Sequence, residues 1–374
     1  MNKLILSGLL ALVALAACAC GYRPSARPTL KIGLVAPFEG LYRPLGYDAL
    51  YGVRLAIEER NDLGGVGGYL VELVALNDDQ DPLWAVQRAR EMCLDPDVMG
   101  VIGHLSDETT RAAIPVYREA NLPLVVPCSG ADTFMDGRNE RVFWLVADNE
   151  TVGSAAARYA VLERGTGSVG VAGGGDGLLE AFVATSSALG AEMAVGKGQE
   201  AQDLIAGTRS PQIDLLFLSL EGPKAAELLV ELRREGWEVP VLGGPELDTP
   251  QFAQIAGEAA RGTTYLSYVP PVGESAFAEA FQGRWGAAPS SQATLAYEAA
   301  RVLLDALDRC IALYGEPSRQ GVADALARTD AYWGLTGRIT FDEKGQALDR
   351  QVYLYQLVEP AYPGEMVPCL ACSP

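Results

Sequence analysis

The chain has 374 residues and a formal net charge of −19 at pH 7, from 48 acidic against 29 basic side chains, with a single histidine. That balance argues against electrostatic binding to nucleic acid or to an anionic membrane surface, and one histidine with no second Cys-x-x-Cys pair argues against a metal centre. Hydrophobic residues make up 49% of a length that exceeds what one core usually serves, so two domains are expected.

In chain order, Met1-Asn2-Lys3 is followed by an unbroken apolar run from Leu4 to Ala17 and then Cys18. One cation and about fourteen small and apolar residues form a secretory signal segment, too short for a comfortable permanent span. Leu15-Ala16-Ala17-Cys18 resembles the lipobox of bacterial lipoproteins, which implies removal of residues 1–17, acylation of Cys18 and a working place outside the cytoplasm. An ordinary cleavage site with incidental cysteines is the alternative. Residues 18–29, with two prolines between Cys20 and Thr29, read as a lipidated tether.

An alternation of strands and helices follows. Leu30 to Ala36 is a short β-type run, and Leu50, Val53 and Ile57 form the apolar face of the helix after it. Tyr69 to Leu76 is the next strand; Asp81 caps and Pro82 opens a helix to about Leu94. Val98 to Ile102 is a strand, Ser106 caps a helix running to Asn121, and Leu122 to Val126 and Val142 to Val146 are strands. A second series holds a helix from Thr151 to Arg164, a strand Ser168 to Ala172, a helix Leu178 to Leu189 and a strand Leu215 to Ser219. It continues with a helix carrying Ala225, Leu228, Leu229 and Leu232 on one face, then a strand Val239 to Leu242. Strands this apolar in βα order predict parallel sheets covered on both faces, an α/β fold of two doubly wound sheets. The amphipathic helix from about Gln292 to Tyr314 fits either.

Of the cysteines besides Cys18, Cys93 and Cys310 fall on apolar helix faces as packed thiols. Cys20, Cys93, Cys128, Cys310, Cys369 and Cys372 allow fifteen complete connectivities; Cys369 and Cys372 pair with each other or tether the tail to a helix.

Leu30 to Pro37, Asn77-Asp78-Asp79-Gln80-Asp81-Pro82, Val101-Ile102-Gly103-His104-Leu105 and Leu335 to Gly345 resemble the branched-chain amino-acid binding proteins of ABC importers, in order and at similar spacing over Leu30 to Leu357. The resemblance implies the type I periplasmic binding protein fold, two lobes joined by a hinge of three crossovers. Lobe 1 would comprise residues 30–147 plus 269–333, and lobe 2 residues 148–268 plus 334–374. It implies an exported protein held at the membrane by its lipid, whose partners are a small amino-acid-like or amine-bearing solute and an ABC permease, with no cofactor. The alternative is a lipid-anchored sensor of the same fold without a transport role.

In that family a serine just after Gly-His-Leu-x and a threonine after the next strand hold the ligand's carboxylate, and the positions matching them here are Asp107 and Gly130. A carboxylate at Asp107 repels another carboxylate; Ser106, Thr109 and Ser129 are neighbouring hydroxyls able to substitute. Asp107 and Glu108 also suit the positive end of the helix dipole. Gly244-Pro245-Glu246 matches the turn whose acid accepts from the ligand's amine, so Glu246 is the leading site residue, with Glu221 near an aromatic position of the family. Asp107, Glu221 and Glu246 together suggest a cationic ligand, while Arg43 in the first loop is a candidate for an anionic group. Some relatives carry one cysteine in an Asp-Asp-x-Cys-Asp-Pro turn and its partner after Gly-His-Leu; here the turn is Asp78-Asp79-Gln80-Asp81-Pro82 and the second position is Ser106, so both are missing together.

An enzyme is the weakest reading. His104 belongs to the Gly-His-Leu segment and is read as packed or loop-bonding; no Gly-x-Ser-x-Gly or Gly-x-x-x-x-Gly-Lys stretch occurs, and Gly173 to Gly177 lacks the Gly-x-Gly-x-x-Gly spacing.

Overall fold

The computed structural model describes residues 27–130, 141–174, 177–195 and 213–372. The signal segment, Cys18 and Cys20 lie outside these residues, as do Gly175 and Asp176 of the glycine-rich loop.

Buried β-type runs alternate with amphipathic helices along the first part of the chain. They are β1 (Thr29–Ala36), α1 (Arg43–Asp62), β2 (Leu70–Asn77), α2 (Pro82–Leu94), β3 (Val98–Ile102), α3 (Asp107–Glu119), β4 (Leu124–Val126) and β5 (Val142–Trp144). All pairings among these strands are parallel, in the order β2-β1-β3-β4-β5. Asp81 caps α2 by accepting from the amides of Leu83 and Trp84, with Pro82 at the first helical position, as its sequence predicts.

The second series contains α4 (Asn149–Arg158), β6 (Ser168–Gly173), α5 (Gly177–Ala188), β7 (Glu192–Val195), β8 (Leu215–Ser219), α6 (Gly222–Arg234), β9 (Val241–Gly243), α7 (Pro250–Ala256) and β10 (Thr264–Ser267). Its parallel strands lie in the order β7-β6-β8-β9-β10, the same pattern as the first sheet. The helix expected from Thr151 begins at Asn149 instead, because Asp148 accepts from Thr151 N at 2.7 Å and caps it there, and residues Tyr159–Glu163 continue it in a π-helical turn.

The chain then forms α8 (Ala276–Trp285), α9 (Ser291–Tyr314), α10 (Arg319–Ala327), the hairpin β11 (Tyr332–Gly334) and β12 (Gly337–Ile339), and β13 (Tyr353–Gln356) and β14 (Glu365–Val367). These last two strands add to β10 in antiparallel fashion and close that edge of the second sheet. Cys369 and Cys372 pair with each other, settling the open choice for the tail.

Helix α9 is buried along most of its length and packs on α1 in the core under the first sheet, while Leu295 near its start joins the core under the second. It therefore serves both sheets. Gly52 permits the approach of α1 to α9: a Cβ there would lie 2.2 Å from the carbonyl oxygen of Ala293. His104 is buried, with Nδ1 2.6 Å from Asp78 Oδ2 and Nε2 3.2 Å from the Tyr117 hydroxyl. It ties the β3–α3 loop to the β2–α2 turn, a packing role.

Candidate functional site

In a doubly wound sheet the strand order reverses beside the first strand, and the loops leaving the carboxyl ends of the strands diverge to open a crevice. Here two such crevices face each other. Between them lies a cavity of about 340 Å³. From the first sheet it is lined by Tyr42 after β1, Gln80 after β2, Ser106 and Asp107 after β3, and Ser129 after β4; from the second by Ser219 at the end of β8, Glu221 after it, Glu246 after β9 and Tyr268 after β10. The first turn of α9 adds Ser291, Gln292 and Leu295.

Each wall is held by local chemistry. Ser106 caps α3, its Oγ accepting from Thr109 N at 3.3 Å, which turns Asp107 and Glu108 into the first helical turn, where the dipole favours carboxylates. The Asn149 amide donates to Asp107 Oδ2 at 2.9 Å. Gly130 leaves room for that contact, since a Cβ at Gly130 would stand 2.4 Å from Asn149 Oδ1 and 2.9 Å from its backbone nitrogen. Glu246 lies in the short 3-10 turn Pro245–Leu247, and a Cβ at the preceding Gly244 would sit 2.1 Å from its Oε2. Gly244 therefore leaves the space that this carboxylate occupies.

Among the described residues the lining carries five carboxylates, Asp107, Glu108, Glu221, Glu246 and Asp248, against two cations, Arg111 and Lys224. Tyr268, fully enclosed, has its hydroxyl held well above its ordinary range by burial and then by the charges of Glu246 and Asp107, acids from opposite walls. Burial raises Asp248 to about 6, against the opposing pull of hydrogen bonds from Ser267, Ser291 and Tyr362. Burial also pushes the Cys128 thiol up to about 12, so it is uncharged at neutral pH.

The mouth is bridged directly. Glu221, in the β8–α6 loop, accepts from the Tyr42 hydroxyl and the Gln80 amide of the opposite wall and pairs with Lys224 on its own side at 2.9 Å. Desolvation, then the bond to Glu221, raises Tyr42 to about 12. Nearby, Gln251 Nε2 donates to the carbonyl of Leu41 at 2.7 Å.

Residues 29–361 match the periplasmic binding protein family. The chain belongs to that family. Curated relatives of this periplasmic binding protein include the leucine-, isoleucine-, valine-, threonine- and alanine-binding protein of Pseudomonas aeruginosa, 26% identical over 346 residues, covering 88% of this chain and 90% of the relative. A Leu/Ile/Val-binding protein homolog of Brucella abortus is 24% identical, covering 92% and 93%. Among solved structures, a leucine binding protein of Thermotoga maritima superposes with a TM-score of 0.82 at 24% identity, covering 91% of this chain and 98% of that one. A Rhodopseudomonas palustris solute binding protein in complex with benzoate superposes at 0.76, with 20% identity and coverage of 92% and 97%. The two parallel sheets with matching strand order are those of the type I periplasmic binding protein fold, and the family is a solute-binding one.

Of the residues singled out from sequence in this periplasmic binding protein, Ser106, Asp107, Ser129, Glu221 and Glu246 line the cavity. Thr109 and Arg43 do not. Thr109 is buried in the first turn of α3, its hydroxyl turned back 3.2 Å from the Ser106 carbonyl and 2.8 Å from Ser106 Oγ. Arg43 is the first residue of α1, exposed, with its guanidinium 5.0 Å from the centre of the Tyr47 ring, an arrangement that satisfies the cation outside the cavity. Tyr42, Asp248, Tyr268 and Gln292 were not apparent from sequence. Only Tyr42, beside the first strand's loop, had a local signal.

Proposed function

We propose that the chain is the exported solute receptor of an ABC importer, anchored through an acylated Cys18 and capturing a small amino-acid-like or amine-bearing solute by hinge closure of two lobes. Lobe 1 is assigned residues 30–147 plus 269–333 and lobe 2 residues 148–268 plus 334–374. The observation that carries the reading is the acid-rich cavity between the carboxyl ends of two doubly wound sheets, with Glu246 on one wall and Asp107 on the other. Contacts made to both walls at once favour the closed form, which a permease can distinguish from the open one. Ser106, Asp107, Ser129, Glu221 and Glu246 are the ligand contacts of this reading; its chemistry is binding without turnover.

Mass analysis of the small molecule retained by the native protein tests it, together with uptake of that molecule by cells lacking the gene. A retained amine and a loss of uptake are expected; conversion of the bound solute would point to an enzyme, and unchanged uptake with a lost signalling response to a sensor. Replacing Cys18 by Ala should release the protein from the membrane with its binding intact, and retention would remove the anchor from the proposal.

A further inference from the structure

Tyr362 lies in the connection between β13 and β14, partly buried against the second core and outside the cavity lining. Its hydroxyl nevertheless reaches the start of α9, accepting from the Ser291 amide at 2.9 Å and lying 3.1 Å from Ser291 Oγ. That amide is one of the four that a helix start leaves without an intrahelical partner; Ser290 Oγ accepts from another, Ala293 N, at 3.1 Å. The Tyr362 hydroxyl, Ser291 Oγ and Ser267 of β10 also hydrogen-bond Asp248. A carboxylate only accepts, so the single proton of the phenol serves Asp248 directly or through Ser291 Oγ. Asp248 in turn closes the turn that carries Glu246, its amide donating to the Pro245 carbonyl at 3.1 Å. One hydroxyl therefore joins two pieces of the cavity wall, the first turn of α9 and the turn of Glu246.

We propose that Tyr362 is a positioning residue of the solute site, its hydroxyl fixing the first turn of α9 and supporting the carboxylate of Asp248 behind the turn of Glu246. The proposal rests on the amine-binding reading. Asp248 is only 7% exposed, and its part does not require contact with the solute. The groups acting on it from the packed elements are Ser267 and Tyr265 of β10, Ser291 of α9, Tyr355 of β13 and Tyr362, with Glu246 two residues away in its own turn. Burial, then the charge of Asp248, holds the three phenols above their ordinary range, so all are neutral at pH 7. Burial opposes the charged form of Asp248, and the hydroxyls of Ser267, Ser291 and Tyr362 favour it. Ionised, Asp248 adds to the negative potential that Glu246 presents to an amine. A bound ammonium favours the carboxylate in return, so affinity is greatest above the midpoint of about 6 and falls as pH drops through it.

Tyr362→Phe keeps the ring and removes the hydroxyl. Compared with the native protein, carboxyl NMR of this variant should show the acid dissociation constant of Asp248 lowered about tenfold, and hydrogen exchange should show the Ser291 amide about tenfold less protected. Calorimetry with L-leucine, L-lysine and cadaverine at pH 6 and 7 reads the effect on binding. With binding confined to the ionised form of Asp248, a probe that binds should lose about fivefold in affinity at pH 6 but only about twofold at pH 7. A hydroxyl of purely structural importance would cost the same at both, and Asp248→Asn should remove the pH dependence in this range. An Asp248 titration or a Ser291 protection unchanged in Tyr362→Phe, or equal losses at the two pH values, overturns the proposal. If that variant fails to fold, the native protein decides: the Tyr362 ζ carbon should shift with the Asp248 midpoint in carbon NMR, and a signal that does not follow it overturns the proposal. If none of the three probes binds, the titration and exchange results decide it alone. The mass of the molecule retained by the native protein judges the amine reading separately, so either can fail while the other stands.

Discussion

Glu246 folds back into the space left beside Gly244, where a Cβ would displace its carboxylate, and it faces a cavity already rich in negative charge. Its pairing with a ligand ammonium would be a charge-assisted bond in a poorly solvated site, where such bonds contribute about 1.5–3 kcal/mol. Glu246→Gln should therefore weaken binding of the retained amine about ten- to hundredfold by calorimetry; unchanged affinity would remove Glu246 from the site. Asp248 gives a second expectation. Its acid form is favoured by burial, with the folded group raised from 3.8 to about 6. The folded protein therefore holds more protons than the unfolded chain between those values, and stability falls as pH rises through that window. Asp248→Asn removes the cost of burying the charge and should stabilise the protein at pH 7 by up to about 3 kcal/mol, with the gain fading towards pH 4. Urea denaturation at the two pH values measures it, and a gain equal at both would refute the assignment. Glu246 was legible in the sequence because its turn is local. Asp248 was not, since its partners Ser267, Ser291 and Tyr362 come from three distant segments.

At the scale of elements, the parallel strands were readable from their apolar runs and the helices from caps such as Asp81 and Ser106. What escaped depended on remote neighbours. The antiparallel strands β13 and β14 are short, and their strand identity comes from the open edge at β10. The π-helical turn after α4 has no signature in the residues Tyr159–Glu163 themselves. The role of α9 is similar: its amphipathic period was plain, but its placement against α1 depends on Gly52, in the middle of α1 and more than two turns from either end. Gly52→Ala would drive a methyl group into the backbone of Ala293, which cannot yield as a side chain does. A loss of about 1–3 kcal/mol is expected, read from the urea midpoint. Because Gln292 precedes Ala293, the same change should weaken ligand binding; a variant with wild-type stability would show that the helices have room to separate.

For the whole molecule, the proposed hinge closure makes the balance between open and closed lobes the quantity that sets how long a solute is held. Glu221 accepts from Tyr42 and Gln80 across the mouth, and Lys224 supports it from its own side. These bonds need no ligand, so they favour the closed form by themselves. The Glu221 side chain is 33% exposed, and solvent screening limits the effect to about 1–2 kcal/mol, a five- to thirtyfold shift in the closed-to-open ratio. Glu221→Ala should accordingly increase the radius of gyration of the ligand-free protein in small-angle scattering and speed dissociation of the retained solute by a similar factor. Tyr42→Phe should reproduce part of this change and add little when combined with Glu221→Ala, because both remove the same bond. Additive effects would mean that the two residues act separately, and an unchanged radius in both variants would mean that closure is determined at the hinge rather than at the mouth.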